Sequence, residues 1–486
     1  MKKDRVIQII IILLICLTTI SIIKKPVESD TLFSIAVGDR ISKYGFEEED
    51  QLVWHEGLRY IYLRWGFDVI VDKIYDFFGF DGIRVFIITL SIAQTLAYYF
   101  ILNHFTKKKI FSAFATLLII PTLGDEFVGR AQLISFLLFL IEYYCVERLV
   151  ETNNNKYFFA LTILPLLLVN FHTSTYPLYF VFYLPYLAEW ILSKLNLKSD
   201  NYSKIIIEKR NIKKLLILII IGIIAGFCSP SGIDAYRYVF NVMGAISADI
   251  IAEMQPVNIL ENEYIAIGIS LFIGIMAFTK TKVRIVDCFL LLGITIMSLN
   301  TVRYTFFFYL IASIVIFKLL YNFLDDYEVK FDFISSRIKV FLLVTSFTIV
   351  TLISVKNLIY NSAENYINAK DYPIAATQYI KNNIDISKMK IYNHFNFGGY
   401  LEFEGIPVFL DARAEMFLPE FNNTTILEDW NLQLEGNEHY KKILNKYGIT
   451  HALLYNDEKM NLYIIDDPEW NVVYKDDTFV LYQRVN

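Results

Sequence analysis

MKKDRVIQIIIILLICLTTISIIKKP, residues 1–26, decides the fold. A short basic stretch is followed by the apolar run Val6–Ile23, and then by Lys24, Lys25 and Pro26. A cleaved leader would end in small residues; this run is longer and ends in lysines, so it reads as a retained span with its N-terminus in the cytoplasm. Apolar runs of this length cross a hydrocarbon core of about 30 Å. Inside lipid the backbone has no water to bond, so each run must be helical. Ten more follow at about 83–105, 110–123, 131–147, 157–171, 176–193, 215–228, 264–279, 286–299, 304–320 and 340–356, which makes about eleven. The expected fold is an all-α polytopic membrane bundle with a small C-terminal α/β domain.

The composition agrees. The 486 residues are 55% hydrophobic, with a mean hydropathy of +0.43. The net charge of −5 gives nucleic acid no reason to bind. Cys16, Cys145, Cys228 and Cys288 all lie in or beside apolar runs, so neither a disulfide-stapled exterior nor a zinc-type spacing is present.

Loop charge sets the orientation. One alternate set of short loops holds Lys2, Lys3 and Arg5; Lys107 to Lys109; Arg148 and Lys156; seven basic residues in 194–214; Lys280, Lys282 and Arg284; and Lys330, Arg337 and Lys339. The opposite set holds only Arg130, Arg237 and Arg303. The first set is therefore cytoplasmic, and an odd number of spans leaves the tail outside. The expected layout is a membrane domain over 1–356 with a long first outer loop at 24–82, a linker at 357–372, and an extracytoplasmic α/β domain at 373–486. In the first loop, 31–43 and 51–65 show helical spacing; Leu58, Ile61, Tyr62 and Trp65 would share a face and lie in the membrane interface. In the tail, 373–383 and 438–447 read as helices, and 390–394, 407–410, 451–455 and 478–484 as strands.

This topology gathers polar residues on the outer side: Asp30, His55, Glu56, Asp125, Glu126, Arg130, Asn170, His172, Glu253 and Arg303. Ionisable groups at membrane depth are costly and mark substrate paths. Each also has a plainer reading. Asp30 can cap a helix, Arg130 and Arg303 can snorkel to headgroups, and His172 can be a satisfied polar residue at a helix end. No HExxH, GxSxG, phosphate loop or dinucleotide fingerprint occurs.

The order of several motifs resembles the GT-C glycosyltransferase class, the architecture of protein O-mannosyltransferases, the aminoarabinose transferase of lipid A and oligosaccharyltransferase. Asp30-Thr-Leu-Phe-Ser-Ile-Ala-Val-Gly38 with Ile41 resembles D-x-W-W-H-x-A-x-G-x-x-I; Trp54-His55-Glu56-x-Leu58 resembles H-E-W-L. Arg130-Ala-Gln132-x-x-Ser135 resembles R-P-Q-x-x-S, Asn170-x-His172 resembles N-x-H-G, Ser229-Pro-Ser-Gly232 resembles N-P-x-G, and Arg303 matches an arginine opening a late span. In the tail, Asn393-x-Phe-x-x-Gly398-Gly-Tyr-Leu and Val408-Phe-Leu-Asp411-Ala-Arg413 resemble N-x-F-x-x-G-G-Y-L and V-F-I-D-G-R. The departures are Ser34 where the class has His, Leu32 and Phe33 in place of tryptophans, and a single acid, Asp30, which speaks against a divalent metal held by this loop.

The resemblance implies transfer of a sugar from a polyprenyl-phosphate donor to a cell-envelope glycan, glycolipid or protein on the outer face, in contact with membrane lipid. Asp30 is then the base, with His55, Glu56, Arg130, Gln132, Asn170, His172 and Arg303 binding substrate and no metal residues assigned. The alternatives are a non-catalytic subunit of an envelope-polysaccharide system with the same fold, and a lipid or solute transporter. Against the transporter stands the lack of an inverted repeat with paired broken helices.

Overall fold

The computed structural model of the chain describes residues 2–23, 27–195, 204–242, 252–260, 262–328, 336–360, 366–432 and 437–485. The lysine pair after the first run, positions 196–203 of the basic loop, Lys330 and positions 361–365 of the linker lie outside the described residues. The chain forms two compact units. One comprises 1–24, 85–229 and 251–361; the other comprises 25–84, 230–250 and 362–486.

The first unit is helical. Its elements include Lys2–Ile22, Lys109–Ile119, Gln132–Thr152, Asn155–Phe171, Leu184–Lys194, Lys213–Ala225, Glu263–Phe278, Ile285–Asn300, Ser313–Asp326 and Ser336–Tyr360. The helix Trp65–Thr106 supplies its later turns, after a break at Gly79, whose φ of 61° no helix accommodates. Helices therefore lie over the apolar runs. Asp4–Ile22, Trp65–Thr106 and Val302–Asp326 are long and apolar enough to cross a bilayer, and shorter apolar helices include Asn155–Phe171, Glu263–Phe278 and Ile285–Asn300. Large apolar side chains point outward, Phe278 at 88% and Ile110 at 72% exposure, which suits a lipid surround.

The run at 176–193 is not one α-helix. It is 3-10-like over Thr173–Phe182 and α-helical only from Leu184. Pro177 and Pro185 lack the N–H that would continue the ladder. Likewise Pro121 turns the end of the 110–123 run into a 3-10 segment, Ile120–Glu126.

Within this unit a buried ionic group joins three helices. Arg284 donates to Glu147 at 2.9 Å and to Asp287 at 2.9 Å, and Lys318 lies 3.3 Å from Asp287. Every charge in it has an opposite partner, the condition for keeping ions out of water.

The second unit combines the first-loop helix Ser29–Tyr44, the start of Trp65–Thr106, the helix Ile233–Val242, and the tail. The tail holds a four-stranded sheet in the order Ile391–Asn393, His451–Tyr455, Phe479–Arg484, Trp470–Lys475. The first pair is parallel and the other two are antiparallel. The helices Ile374–Asn383 and Asn437–Lys446 lie where expected. The strand Trp470–Lys475 escapes the sequence reading. Residues 407–410, expected as a strand, make only a single bridge, Val408 to Val53.

That bridge explains a second correction: 51–65 is not an interfacial helix. Its backbone groups are committed elsewhere. Trp54 N–H donates to Val408 O at 3.2 Å, Val408 N–H to Leu52 O at 3.0 Å, and Glu49 bridges Arg59. The apolar residues of the expected lipid-facing stripe are used inside the unit instead: Leu58 and Tyr62 are buried.

Candidate functional site

In the second unit the site is built on the helix Ser29–Tyr44. Glu28 is its N-cap, and Thr31 Oγ1 accepts from the Glu28 N–H at 3.3 Å. Asp30 is therefore not the cap. It stands half-buried in the first turn, where the partial positive charge of the helix start favours a carboxylate. Two glycine contacts fix this helix. A Cβ on Gly38 would lie 2.2 Å from Asp68 O, so the helix beginning at Trp65 packs directly on the backbone there. A Cβ on Gly399 would lie 2.4 Å from Ser29 O, so the short helix Gly398–Phe403 packs against the first turn, next to Asp30.

Next to this helix lie two arginines, Arg64 half-buried and Arg413 buried, that the sequence reading did not place together. Arg64 stacks over Phe33 at 4.3 Å and lies 3.5 Å from Asp68 Oδ1. Burial alone would weaken its cation, but the charges of Asp68 and then Asp30 outweigh that and hold it above the usual arginine value. Arg413 stacks on Phe33 at 4.8 Å and on Tyr60 at 4.9 Å. Its guanidinium donates to Asp411 at 2.9 and 2.6 Å, to Glu402 at 2.8 Å, and to Asp50. One cation thus serves three buried carboxylates. Burial pushes Glu402 well above the carboxylate range, with the charge of Asp411 adding to it. Although burial also opposes ionisation of Asp411, the Arg413 charge outweighs it and holds that carboxyl below its usual value. Of these two acids, Glu402 is the one whose ionisation its surroundings oppose. Asp411 and Arg413 thus pair in the interior.

His55 is drawn away from pocket duty. Its Nε2 bonds Phe409 O at 2.9 Å, and its ring packs on Trp54, Phe409 and Tyr447. Burial lowers its pKa to about 4, the charge of Lys390 helping, while the bond to Phe409 works the other way. The ring is therefore neutral at pH 7 and donates to that carbonyl. Glu56, beside it, is exposed.

The remaining residues lie in the first unit, and there the motifs touch. His172 Nδ1 pairs with Ser135 Oγ at 2.9 Å, one turn beyond Gln132, which opens its helix half-buried. His172 is thus a satisfied residue at a helix end. Asn170 donates to Leu166 O and to Cys228 O, tying its motif to the segment before Ser229. Arg130 Nη1 lies 3.0 Å from Glu253 Oε1. Thr301 Oγ1 donates to Glu253 O at 2.9 Å and accepts from the N–H of Arg303 at 3.3 Å. So Arg130, Glu253 and the turn carrying Arg303 form one group, in which Arg303 is half-buried.

Among the described residues no group of three His, Cys, Asp or Glu side chains is disposed to hold a metal. The donor set beside Asp30 does not suit one: Arg64 supplies a cation, and Ser34 stands where an imidazole would be needed.

Arg64, Asp68, Asp50 and Glu402 are the residues the sequence reading missed. Asp50 and Arg413 are separated by 363 positions, and no local pattern signals such a pair.

No family model matches the chain, and no curated protein matches it in sequence. Its fold, however, matches solved structures over nearly its whole length. ArnT from Cupriavidus metallidurans in the apo state aligns with a TM-score of 0.58 at 10% identity, covering 100% of this chain and 99% of that one. The same protein bound to undecaprenyl phosphate aligns with a TM-score of 0.55 at 8% identity, over 99% and 98%. The Archaeoglobus fulgidus oligosaccharyltransferase tethered to an acceptor peptide aligns with a TM-score of 0.55 at 10% identity, over 98% of this chain and 74% of that one. These are GT-C glycosyltransferases, and the fold of this chain is the GT-C fold. Its apolar helices are those of a membrane protein.

Proposed function

We propose that the protein is an integral-membrane glycosyltransferase. It would move a sugar from a polyprenyl-phosphate donor to an acceptor on the outer face, with its N-terminus in the cytoplasm and its tail outside. The observation that carries this reading is the likeness of the whole chain to two GT-C enzymes, one of them solved with undecaprenyl phosphate bound. The loop charges support the orientation.

The chemistry needs three things. An acceptor hydroxyl must lose its proton as its oxygen bonds the anomeric carbon. The bond from that carbon to the phosphate oxygen must break, its electron pair leaving with the phosphate. Positive charge building on the sugar ring must be tolerated, as in glycoside hydrolysis. For the proton, the second unit offers Asp30, a half-buried carboxylate in the first turn of the helix Ser29–Tyr44. For the phosphate, the first unit offers Arg130 and Arg303, whose guanidinium groups suit two charge-assisted hydrogen bonds. His172 and Asn170 support the first unit through the bonds described above, and Gln132 opens the helix that carries Ser135. His55 we assign to holding the first loop on the tail, and Glu56, exposed beside it, to meeting substrate.

The test is transfer by purified protein supplied with lipid-phosphate sugars, wild type against Asp30→Asn. A general base is typically worth about 10² to 10⁴ in rate. Because Glu28 caps the helix, Asn at position 30 leaves the fold intact. A loss of that size with normal folding supports the base. Near-normal transfer removes it.

A further inference from the structure

The second unit contains a cavity of about 390 Å³, bounded by segments 46–63, 230–241 and 413–422. That volume is in the range of about 300–1,000 Å³ usual for small-ligand sites. Part of its wall is aromatic. Phe46 and Tyr60 each meet Tyr62 edge-on, with centroids 5.0 and 4.7 Å apart. Tyr238 and Phe421 form a second pair at 5.5 Å. Two polar atoms of lining residues, Ser231 Oγ and Glu420 Oε2, are buried and have no hydrogen-bond partner among the described residues. A buried polar atom left without a partner costs about 1–3 kcal/mol, so such atoms point to a missing one.

We propose that this cavity is an acceptor subsite and that it binds a neutral or cationic carbohydrate; this rests on the glycosyltransferase reading. Aromatic rings offer flat apolar faces to the C–H surface of a pyranose, while carboxylate, hydroxyl and amide oxygens at the rim accept from its hydroxyls. Asn241, whose amide nitrogen is used on Glu420 O, still has its oxygen to present. The sign of the ligand follows from charge. Five carboxylates line the cavity: Glu47, Glu48, Asp234, Glu415 and Glu420. Against them stand Arg59 and Arg237, both on Asp234, and Arg40, which pairs with Glu47 at 2.8 Å; the Arg413 guanidinium is consumed by its own three acids, so Glu48, Glu415 and Glu420 leave the wall acidic. An anionic glycan is repelled. A peptide gains little, since the aromatic wall presents no pairing edge of backbone. The location suits the reaction as well, since Glu415 bonds Tyr238 at 3.4 Å on the cavity wall and its charge also reaches Arg64, the arginine that feels Asp30.

The experiment uses the full chain in lipid nanodiscs and saturation-transfer NMR. The probes are neutral tetrasaccharides of glucose, mannose, galactose and N-acetylglucosamine, the fully deacetylated chitosan tetramer, tetragalacturonic acid, and a ten-residue uncharged peptide. We expect at least one neutral or cationic oligosaccharide to bind, with tetragalacturonic acid at least tenfold weaker. Glu420→Gln and Phe421→Ala should each weaken that binding about tenfold while keeping the elution profile of the wild type. Binding by no neutral or cationic oligosaccharide overturns the proposal. So does binding that both substitutions leave unchanged, or a preference for the peptide. Undecaprenyl-phosphate binding is measured in parallel on the same variants. Its absence with oligosaccharide binding intact defeats the glycosyltransferase reading and leaves the carbohydrate site standing.

Discussion

Replacing Arg413 by Met keeps length and apolar stem but removes the one cation serving Asp50, Asp411 and Glu402. In the native chain this guanidinium makes hydrogen bonds to all three from a fully buried position. Breaking a buried ion pair by deleting one partner costs about 3–5 kcal/mol, because the other charge is stranded. Here three buried carboxyl groups lose their shared cation at once, so the loss should reach the upper part of that range, against a typical total of about 5–15 kcal/mol. The loop 45–64 should loosen with it, since Asp50 Oδ1 also accepts from the N–H groups of Leu52 and Val53 at 2.9 and 3.1 Å. The assay is pulse proteolysis of the full chain in detergent, following cleavage in 45–64. Glu402→Gln is the internal control: if Glu402 carries a proton, an amide oxygen can accept from Arg413 equally well and the variant should stay within about 1 kcal/mol of wild type. Arg413→Met unfolding no more easily than wild type refutes the ionic account. Glu402→Gln as damaging as Arg413→Met refutes the proton assignment.

Asp411→Asn should lower folding yield more than turnover of the folded fraction, because the Asp411 carboxylate accepts from the Arg413 guanidinium through both oxygens and also from the Arg413 backbone N–H; a well-folded inactive variant contradicts this. Arg130→Gln and Arg303→Gln should each weaken undecaprenyl-phosphate binding about tenfold, since a charged hydrogen bond is worth about 1.5–3 kcal/mol; unaltered binding in both removes the phosphate role. Acid should destabilise the second unit through His55 and His394, both lowered to about 4 by burial. An unfolded histidine titrates near 6.5, so the unfolded chain binds more protons between those values and stability must fall as pH drops from about 6.5 to 4. His55→Gln should flatten that limb by roughly 1–3 kcal/mol, read from denaturation midpoints at pH 7 and pH 4.5; parallel curves exclude the histidine as cause.

How much of this was legible depended on whether the cause was local. The apolar runs announced helices because lipid leaves the backbone no other choice, and the prolines at 121, 177 and 185 account for the places where the ladder fails. The helix Ser29–Tyr44 was visible from its spacing. The stretch 51–65 had the same spacing but a different fate, since its backbone bonds the tail some 350 positions away. Local periodicity cannot register a partner at that distance. The same limit hid Asp50, whose partner Arg413 stands 363 positions on. The plainer reading of Asp30, as a helix cap, fails because Glu28 takes that position two places earlier.

The motif Gly398-Gly399 gained a physical meaning only from the fold. Its short helix abuts Ser29, one residue before Asp30, so the tail helps to set where the proposed base stands. A Cβ at position 399 would meet Ser29 O at 2.4 Å, Ser29 Oγ at 2.9 Å and Phe33 Cβ at 3.0 Å. The first of these is a backbone atom in a helix that is also braced at Gly38, where a Cβ would meet Asp68 O at 2.2 Å. Gly399→Ala therefore cannot be absorbed by turning one side chain; the first turn itself must shift. Overpacking of this kind costs about 1–3 kcal/mol, which leaves much of the chain folded. Displacing a reacting group by about 1 Å can cost about 10²-fold in rate. Gly399→Ala should thus lose far more turnover than stability, with binding of the lipid phosphate unchanged because Arg130 and Arg303 belong to the other unit. Equal turnover per folded molecule in Gly399→Ala and wild type would show that this contact does not position the base.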